Sequence, residues 1–192
     1  MSKENQKNSF CPDFSVIITC YFEELTLYEF YTRLSNSLKS INRTYEIIFV
    51  NDGSTDKTFE ILKEIFNKDE HVTRVIDLFK NVGQIAAITA GITYAQGKHF
   101  IFLDSDLQVD PEEIPLLITE FDKGYDIVSG FRKNRKDSFW RIIPSKIANI
   151  VLQKITDSRF TDFGCTFKIY EGNLIRAFNV GPFKLINSIL VI

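Results

Sequence analysis

Two carboxylates one residue apart close an apolar run in Phe100-Ile101-Phe102-Leu103-Asp104-Ser105-Asp106-Leu107-Gln108. Side chains two apart on an extended chain face the same way, so Asp104 and Asp106 converge on one spot. Such a pair is costly unless a cation joins it. Hard oxygen ligands suit Mg²⁺ or Mn²⁺, whose shells are usually completed by substrate phosphates, so the natural guest is a metal-bound diphosphate. Taken alone the pattern is weak, because aspartates at strand ends also serve as turn and cap residues.

A second apolar run ends in the same manner, at Phe49-Val50-Asn51-Asp52-Gly53-Ser54-Thr55-Asp56. A carboxylate at Asp52 can accept hydrogen bonds from a nucleobase edge or a ribose, while Ser54 or Thr55 can equally cap the helix that follows. Glu23 and Glu24 come just after the first apolar run. Three acidic strand ends thus gather at one edge if the strands are parallel.

The elements that must position these groups follow from periodicity. Short β-rich runs at Phe14 to Thr19, Tyr45 to Val50, Val72 to Asp77, Phe100 to Leu103 and Asp126 to Val128 read as buried strands. Between them Leu27, Tyr31, Leu34 and Leu38, then Phe59, Leu62, Ile65 and Phe66, fall at helical spacing. A third helix, roughly Gln84 to Gln96, uses the small residues Ala86, Ala87, Ala90 and Gly91 to sit close to a sheet or ligand. A fourth opens at Asp110-Pro111-Glu112-Glu113, with an acceptor at the N-cap and proline at the first helical position. The α/β alternation implies a Rossmann-like, doubly wound, mostly parallel sheet with flanking helices, whose ligands bind beyond the carboxyl ends of the strands.

Composition narrows the class. A chain of 192 residues with 44% apolar and 25% charged side chains is an ordinary globular domain. A net charge of -2 argues against a nucleic-acid partner. Cys11, Cys20 and Cys165 show neither disulfide nor zinc spacing, which fits a reducing cytosol. His71 and His99 read as structural. Residues 1–13 are polar and read as a flexible tail, residues 14–180 as the catalytic domain, and residues 181–192 as an apolar C-terminal segment that stops without a cap, as a truncated chain would. No run of about 18 apolar residues is present, so attachment to a membrane would be peripheral.

Order and spacing of these segments resemble glycosyltransferase family 2, of GT-A type fold, from Phe14 to about Tyr170. Thr19-Cys20-Tyr21-Phe22-Glu23-Glu24 is similar to the family's first-strand segment, Asn51-Asp52-Gly53-Ser54 to its base-binding turn, and Asn81-Val82-Gly83-Gln84 with Ala87 and Gly91 to its third helix entry. Asp104-Ser105-Asp106-Leu107-Gln108 is similar to its metal motif. Within the family the likeness is to polyprenyl-phosphate (dolichol- and undecaprenyl-phosphate) sugar transferases, through Leu107-Gln108, Gly130-Phe131-Arg132 and Asp162-Phe163-Gly164-Cys165-Thr166-Phe167-Lys168. Thr19 and Phe22 depart from the proline and asparagine usual at those positions.

The resemblance implies that Tyr21, Glu23, Asp52 and Gly83 hold the nucleoside, with Asp104, Ser105 and Gln108 completing the donor site. Asp104 and Asp106 would bind Mg²⁺ or Mn²⁺, Asp106 chiefly. Arg132 would face the diphosphate or the acceptor phosphate, and Asp162 the acceptor. The partners implied are a nucleoside diphosphate sugar, preferably a UDP-sugar carrying a hexose, and a lipid-phosphate acceptor at the cytoplasmic face of the membrane; oligomeric state is left open. The basic cluster Arg132, Lys133, Arg135, Lys136, Arg141 and Lys146, followed by Trp140, Ile143, Ile147, Ile150 and Val151 at helical spacing, suits either a headgroup layer or a helix packed on the sheet. Transfer to a glycan hydroxyl, with Asp162 as base, and a truncated protein that binds nucleotide sugar without turnover are the alternatives. A phosphotransferase using the first aspartate of the pair is disfavoured, because that nucleophile normally follows the first strand and Asp104 follows the fourth.

Overall fold

The computed structural model describes residues 11–130, 165–177 and 189–191. These form a seven-stranded sheet: β1 (Phe14–Cys20), β2 (Tyr45–Asn51), β3 (Val72–Leu78), β4 (His99–Asp104), β5 (Ile127–Ser129), β6 (Lys168–Glu171) and β7 (Ile189–Val191), in the spatial order β5-β6-β4-β1-β2-β3-β7. Strands β1 to β4 pair in parallel, with Phe14 opposite both Tyr45 and His99. β6 and β7 run antiparallel to their neighbours. Helices α1 (Leu27–Ser40), α2 (Thr58–Lys68), α3 (Gln84–Tyr94), α4 (Ile114–Phe121) and α5 (Gly172–Ala177) complete the described elements. No helix among the described residues is long and apolar enough to cross a membrane.

The sheet is buried on both sides, which is why its central strands read as unbroken apolar runs. Phe14, Val16, Ile18 and Cys20 point to a core shared with Leu27, Phe30 and Leu34 of α1, Leu62 and Ile65 of α2, and Ile114 and Leu117 of α4. Ile17 faces the other way, toward Ala87 and Ala90 of α3. The small residues of α3 let it lie close to the sheet: a Cβ at Gly91 would come within 2.4 Å of the Ile17 side chain.

Several boundaries differ from the sequence reading. α3 ends at Tyr94, with Ala95 already extended. Asp110 does not cap the fourth helix with its side chain; the chain enters through a 3₁₀ turn at Pro111–Glu113. The Asp110 carboxylate instead lies 2.5 Å from Arg33, which also takes Glu112 at 2.8 Å, because a guanidinium is a stronger partner than a backbone amide. Ser54 and Thr55 do not cap α2, which starts at Thr58; the Asp56 carboxylate accepts the Thr58 N–H at 3.0 Å. At the expected tail, Pro12 and Asp13 accept the Lys98 and His99 amides at 2.9 and 3.0 Å, so the chain is tied to the sheet before Phe14. At the other end, Ile189–Val191 adds an edge strand beside β3.

Candidate active site

Parallel register brings the carboxyl ends of β1, β2 and β4 together with the β3–α3 loop. They enclose a cleft of about 340 Å³ lined by Thr19, Cys20, Tyr21, Glu23, Asp52, Asn81, Gly83, Gln84, Asp104, Ser105 and Asp106. Seven of the residues expected from sequence therefore meet in one place. Gln108 does not join them; it is exposed, and its backbone N–H donates to Asp106 at 3.0 Å. Arg132 and Asp162 lie outside the described residues, as do the basic cluster and the Trp140 to Val151 stretch.

Each loop is fixed by a neighbour. Asp52, 4% exposed, accepts the backbone N–H of Val82 at 2.8 Å and of Gly83 at 3.1 Å. That clamps the entry of α3 onto the end of β2. Gly53 beside it has φ +71°, and a Cβ there would meet the Lys80 carbonyl carbon at 2.2 Å, so only glycine lets the two loops touch. Asn51 donates to Asp77 at 2.7 Å and accepts from Ser54, whose hydroxyl oxygen in turn accepts the Phe22 amide at 3.0 Å. The β1, β2 and β3 loops are thus one hydrogen-bonded frame.

The paired carboxylates stand on different footings. Asp104, at the end of β4, accepts the Thr19 hydroxyl at 2.5 Å and the Gln84 amide at 2.7 and 2.8 Å. Asp106 lies beyond the strand, in a bend followed by Leu107 at φ 57°. Between them Ser105 is buried, and its hydroxyl donates to the Thr19 carbonyl at 3.1 Å, pinning the turn to β1. Burial pushes the Glu23 carboxyl above its ordinary value; the Thr26 hydroxyl opposes this, and the charges of Asp106, Asp104 and Asp56 add to the rise. The cleft is therefore crowded with negative charge. Burial pushes the Cys20 thiol up to about 12, which leaves it a filler rather than a nucleophile.

Among the described residues no cluster of three or more histidine, cysteine, aspartate or glutamate side chains is arranged to cage a metal. The oxygen-only pair Asp104 and Asp106, open to a cleft, nevertheless fits a small hard cation whose shell is finished by phosphates and water. The histidines lie elsewhere. His71 stacks on Tyr45 and sits 2.9 Å from Asp69, a carboxylate only two residues before it that the sequence reading left unpaired with it. The Nδ1 of His99 is buried without a hydrogen bond, among Phe14 and Phe121.

The family model described as Glycosyl transferase family 2 matches residues 15–187. The chain belongs to glycosyltransferase family 2. It is 42% identical over 164 residues to the undecaprenyl-phosphate 4-deoxy-4-formamido-L-arabinose transferase of Proteus mirabilis, covering 85% of this chain and 50% of that protein. To the protein of the same name from Pseudomonas paraeruginosa it is 39% identical over 163 residues, covering 85% and 48%. The chain thus spans about half the length of the curated relatives it matches. In architecture it is similar to glucosyl-3-phosphoglycerate synthase from Mycobacterium tuberculosis, solved with Mn²⁺, uridine diphosphate and glucosyl-3-phosphoglycerate, with a TM-score of 0.62 at 18% identity over 85% of this chain and 58% of that one. The GT-A type α/β fold expected from sequence is the fold found.

Cleft residues that sequence reading did not place in the site are Thr19, Cys20, Asn81 and Gln84. Gln84 and Thr166 bond each other at 2.9 Å, from the start of α3 and the approach to β6. Thr166 belongs to a stretch whose burial alternates, with Cys165, Phe167 and Ile169 buried and Thr166, Lys168 and Tyr170 less so. That period of two is a strand signal legible in the sequence. Nothing comparable marks Gln84.

Proposed function

We propose that this chain carries the donor-binding and catalytic part of a transferase that moves a sugar from a nucleoside diphosphate to a polyprenyl phosphate, with inversion at the anomeric carbon. The observation that carries the reading is the convergence of Glu23, Asp52, Gly83, Asp104 and Asp106 on one cleft at the carboxyl edge of the sheet, in a family 2 chain. The lipid acceptor is supported by relatives named for undecaprenyl phosphate. Uracil as the base and Mn²⁺ as the cation are supported by the fold neighbour that holds UDP and Mn²⁺, and Mg²⁺ suits the same oxygen ligands. The relatives are named for an arabinose derivative, a pentose, so the hexose expected from sequence widens to a nucleotide-activated pentose or hexose.

Tyr21, Glu23 and Asp52 would hold the nucleoside, and Asp104 and Asp106 would hold the cation and the diphosphate. A bound cation supplies charge stabilisation for the departing diphosphate. The protein's own part is to fix the anomeric carbon in line with the incoming oxygen and to keep water from it. A phosphate monoester is largely dianionic near neutrality and is already a nucleophile, so a lipid phosphate needs positioning more than deprotonation. Arg132, with its fixed guanidinium fork, and Asp162 are proposed to do that positioning. A polyprenyl acceptor would bring this chain to a membrane surface.

Thermal unfolding with UDP, GDP and CDP, with and without Mn²⁺, tests the donor site. At 100 times Kd a ligand adds about 2.7 kcal/mol, which is several degrees of Tm for a domain of this size. A metal-dependent rise with one nucleotide, abolished in Asp106→Asn, is expected. No rise with any nucleotide would sink the donor-site reading and leave a family member without a working site. Incubation with UDP-sugars of both pentose and hexose type and a short-chain polyprenyl phosphate then decides the sugar and the acceptor.

A further inference from the structure

We infer that Gln84 is a positioning residue that divides the work between the two carboxylates of the metal motif, occupying the chelating edge of Asp104 so that the cation is left to Asp106. This rests on the donor-site reading above and deepens it.

The geometry is specific. The Gln84 Nε2 lies 2.7 Å from one Asp104 oxygen and 2.8 Å from the other, so it straddles the carboxylate where a bidentate cation would sit. The same nitrogen lies 2.9 Å from the Thr166 hydroxyl oxygen. An amide nitrogen has two hydrogens and cannot accept. One N–H is therefore shared across the carboxylate and the other goes to Thr166, which joins α3, β4 and the approach to β6 through a single side chain. An ionised carboxylate offers about four acceptor positions. Thr19 takes one on Oδ1, and Gln84 takes one on each oxygen. What is left on Asp104 is a single position on Oδ2, suited to one hydroxyl, one metal-bound water or one metal–oxygen bond and not to chelation, so Asp106 is the chief ligand.

Gln84 is placed for this by the frame around it. It is the first residue of α3, and the Gly83 before it, at φ +90°, has its N–H held by Asp52. Asp52 thereby acts on Asp104 at second hand, through the start of α3. The choice of an amide also matters electrostatically. A lysine reaching the same spot would neutralise Asp104 and weaken the attraction of the cleft for a cation, whereas glutamine orders the carboxylate and leaves its charge in place.

The test is Mn²⁺ titration of the full chain, without nucleotide, followed by electron paramagnetic resonance, for wild type, Gln84→Met, Asp104→Asn and the double variant. Methionine keeps the length of the side chain and removes the donors. Release of the Asp104 edge is expected to tighten Mn²⁺ binding about tenfold, or ~1.4 kcal/mol. The gain should vanish in the double variant, because it requires the Asp104 carboxylate. A merely structural loosening of the cleft would weaken Mn²⁺ binding, and unchanged or weaker binding in Gln84→Met overturns the inference. Should Gln84→Met unfold, Gln84→Asn, which shortens the reach and keeps the amide, is expected to show the same tightening. UDP-linked thermal stabilisation reads the donor site separately: wild type that responds to UDP while Gln84→Met binds Mn²⁺ no more tightly breaks this inference alone. No Mn²⁺ bound by any variant overturns both this inference and the metal part of the donor reading.

Discussion

Strand β2 has a buried carboxylate near each end, and the two are satisfied in different ways. Glu46, 3% exposed, accepts the Ser15 hydroxyl at 2.6 Å, the Thr73 hydroxyl at 2.8 Å and the Gln96 amide at 2.6 Å. Ser15 in turn accepts the Gly97 amide at 2.8 Å. Its partners come from β1, β3 and the loop after α3, and none of them lines the cleft. Asp52, past the other end of the strand, is nearly as buried but lines the cleft, and both of its bonds go to the loop that starts α3. The same chemical group ties the sheet shut at one edge and shapes an opening at the other. A buried carboxylate is therefore poor evidence of a site until its partners are known.

Truncating the two residues should separate stability from binding. Glu46→Ala leaves two hydroxyls and an amide without their acceptor; at about 1–3 kcal/mol for an orphaned buried group, a loss of about 3 kcal/mol is expected. That corresponds to a Tm lower by about 6–12 °C, with the rise caused by nucleotide unchanged. Asp52→Ala orphans two backbone amides at the mouth of the cleft and should cost less, about 1–3 kcal/mol, while abolishing the nucleotide response. Differential scanning fluorimetry with and without UDP and Mn²⁺ reads both. A Glu46→Ala protein that folds but has lost its nucleotide response would dissolve the distinction between the two edges.

How much of this was legible in the sequence differs between the same two edges. The acidic strand ends stood out because each closes an apolar run, and parallel pairing brought Asp52, Asp104 and Asp106 into one cleft. Glu46 sits inside an apolar run and reads as a strand residue; its partners are 31, 27 and 50 residues away, a set that only the register of the folded sheet assembles. Gln84 reads from sequence only as the entry of a helix, since its side-chain partners are an aspartate 20 residues on and a threonine 82 residues on. The capping role expected of Asp110 failed because Arg33, 77 residues earlier, competes for the carboxylate. Local rules rank partners within a few residues, and here distant partners of higher charge prevail. Of the two departures from the family pattern, Thr19 gains a role that a proline side chain could not fill, donating its hydroxyl to Asp104.

Glu23 offers a finer probe of the open edge. Its carboxyl is raised, through burial first and then the neighbouring aspartates. A raised folded value means that the protonated form is favoured in the folded chain. Its contribution to stability is therefore full below the ordinary glutamate range and is lost as pH rises through the folded value. Glu23→Gln removes that dependence. The variant is expected to match wild type at the acidic end of the range where both fold and to exceed it in Tm progressively toward neutrality. Saturating Mn²⁺ with UDP should shrink the gap, since a cation relieves the crowding. Thermal melts across pH in the two proteins check the sign, and a gap that closes toward neutrality would mean that the cleft does not destabilise the Glu23 charge.

The smallest expected effect lies at Phe22, the other departure. It holds φ 58°, a left-handed conformation, while its N–H donates to Ser54 at 3.0 Å. Left-handed backbone costs an L residue roughly 1–2 kcal/mol, and asparagine tolerates it better than most side chains. Against that relief stands the edge contact between the Tyr21 and Phe22 rings, 4.5 Å between centroids on an exposed loop, a pair worth about 0.5 kcal/mol at the low end of its range. Phe22→Asn should thus gain about 0.5 kcal/mol, or 1–2 °C in Tm. Phe22→Ala loses the same ring contact and lacks the short polar side chain that eases the left-handed region for asparagine, so it should fall below wild type. The difference between the two variants isolates the backbone contribution, because both retain the amide that Ser54 accepts. Equal melting temperatures for asparagine and alanine would show that the turn bears no strain and that the β1 loop owes its shape to the hydrogen-bonded frame alone.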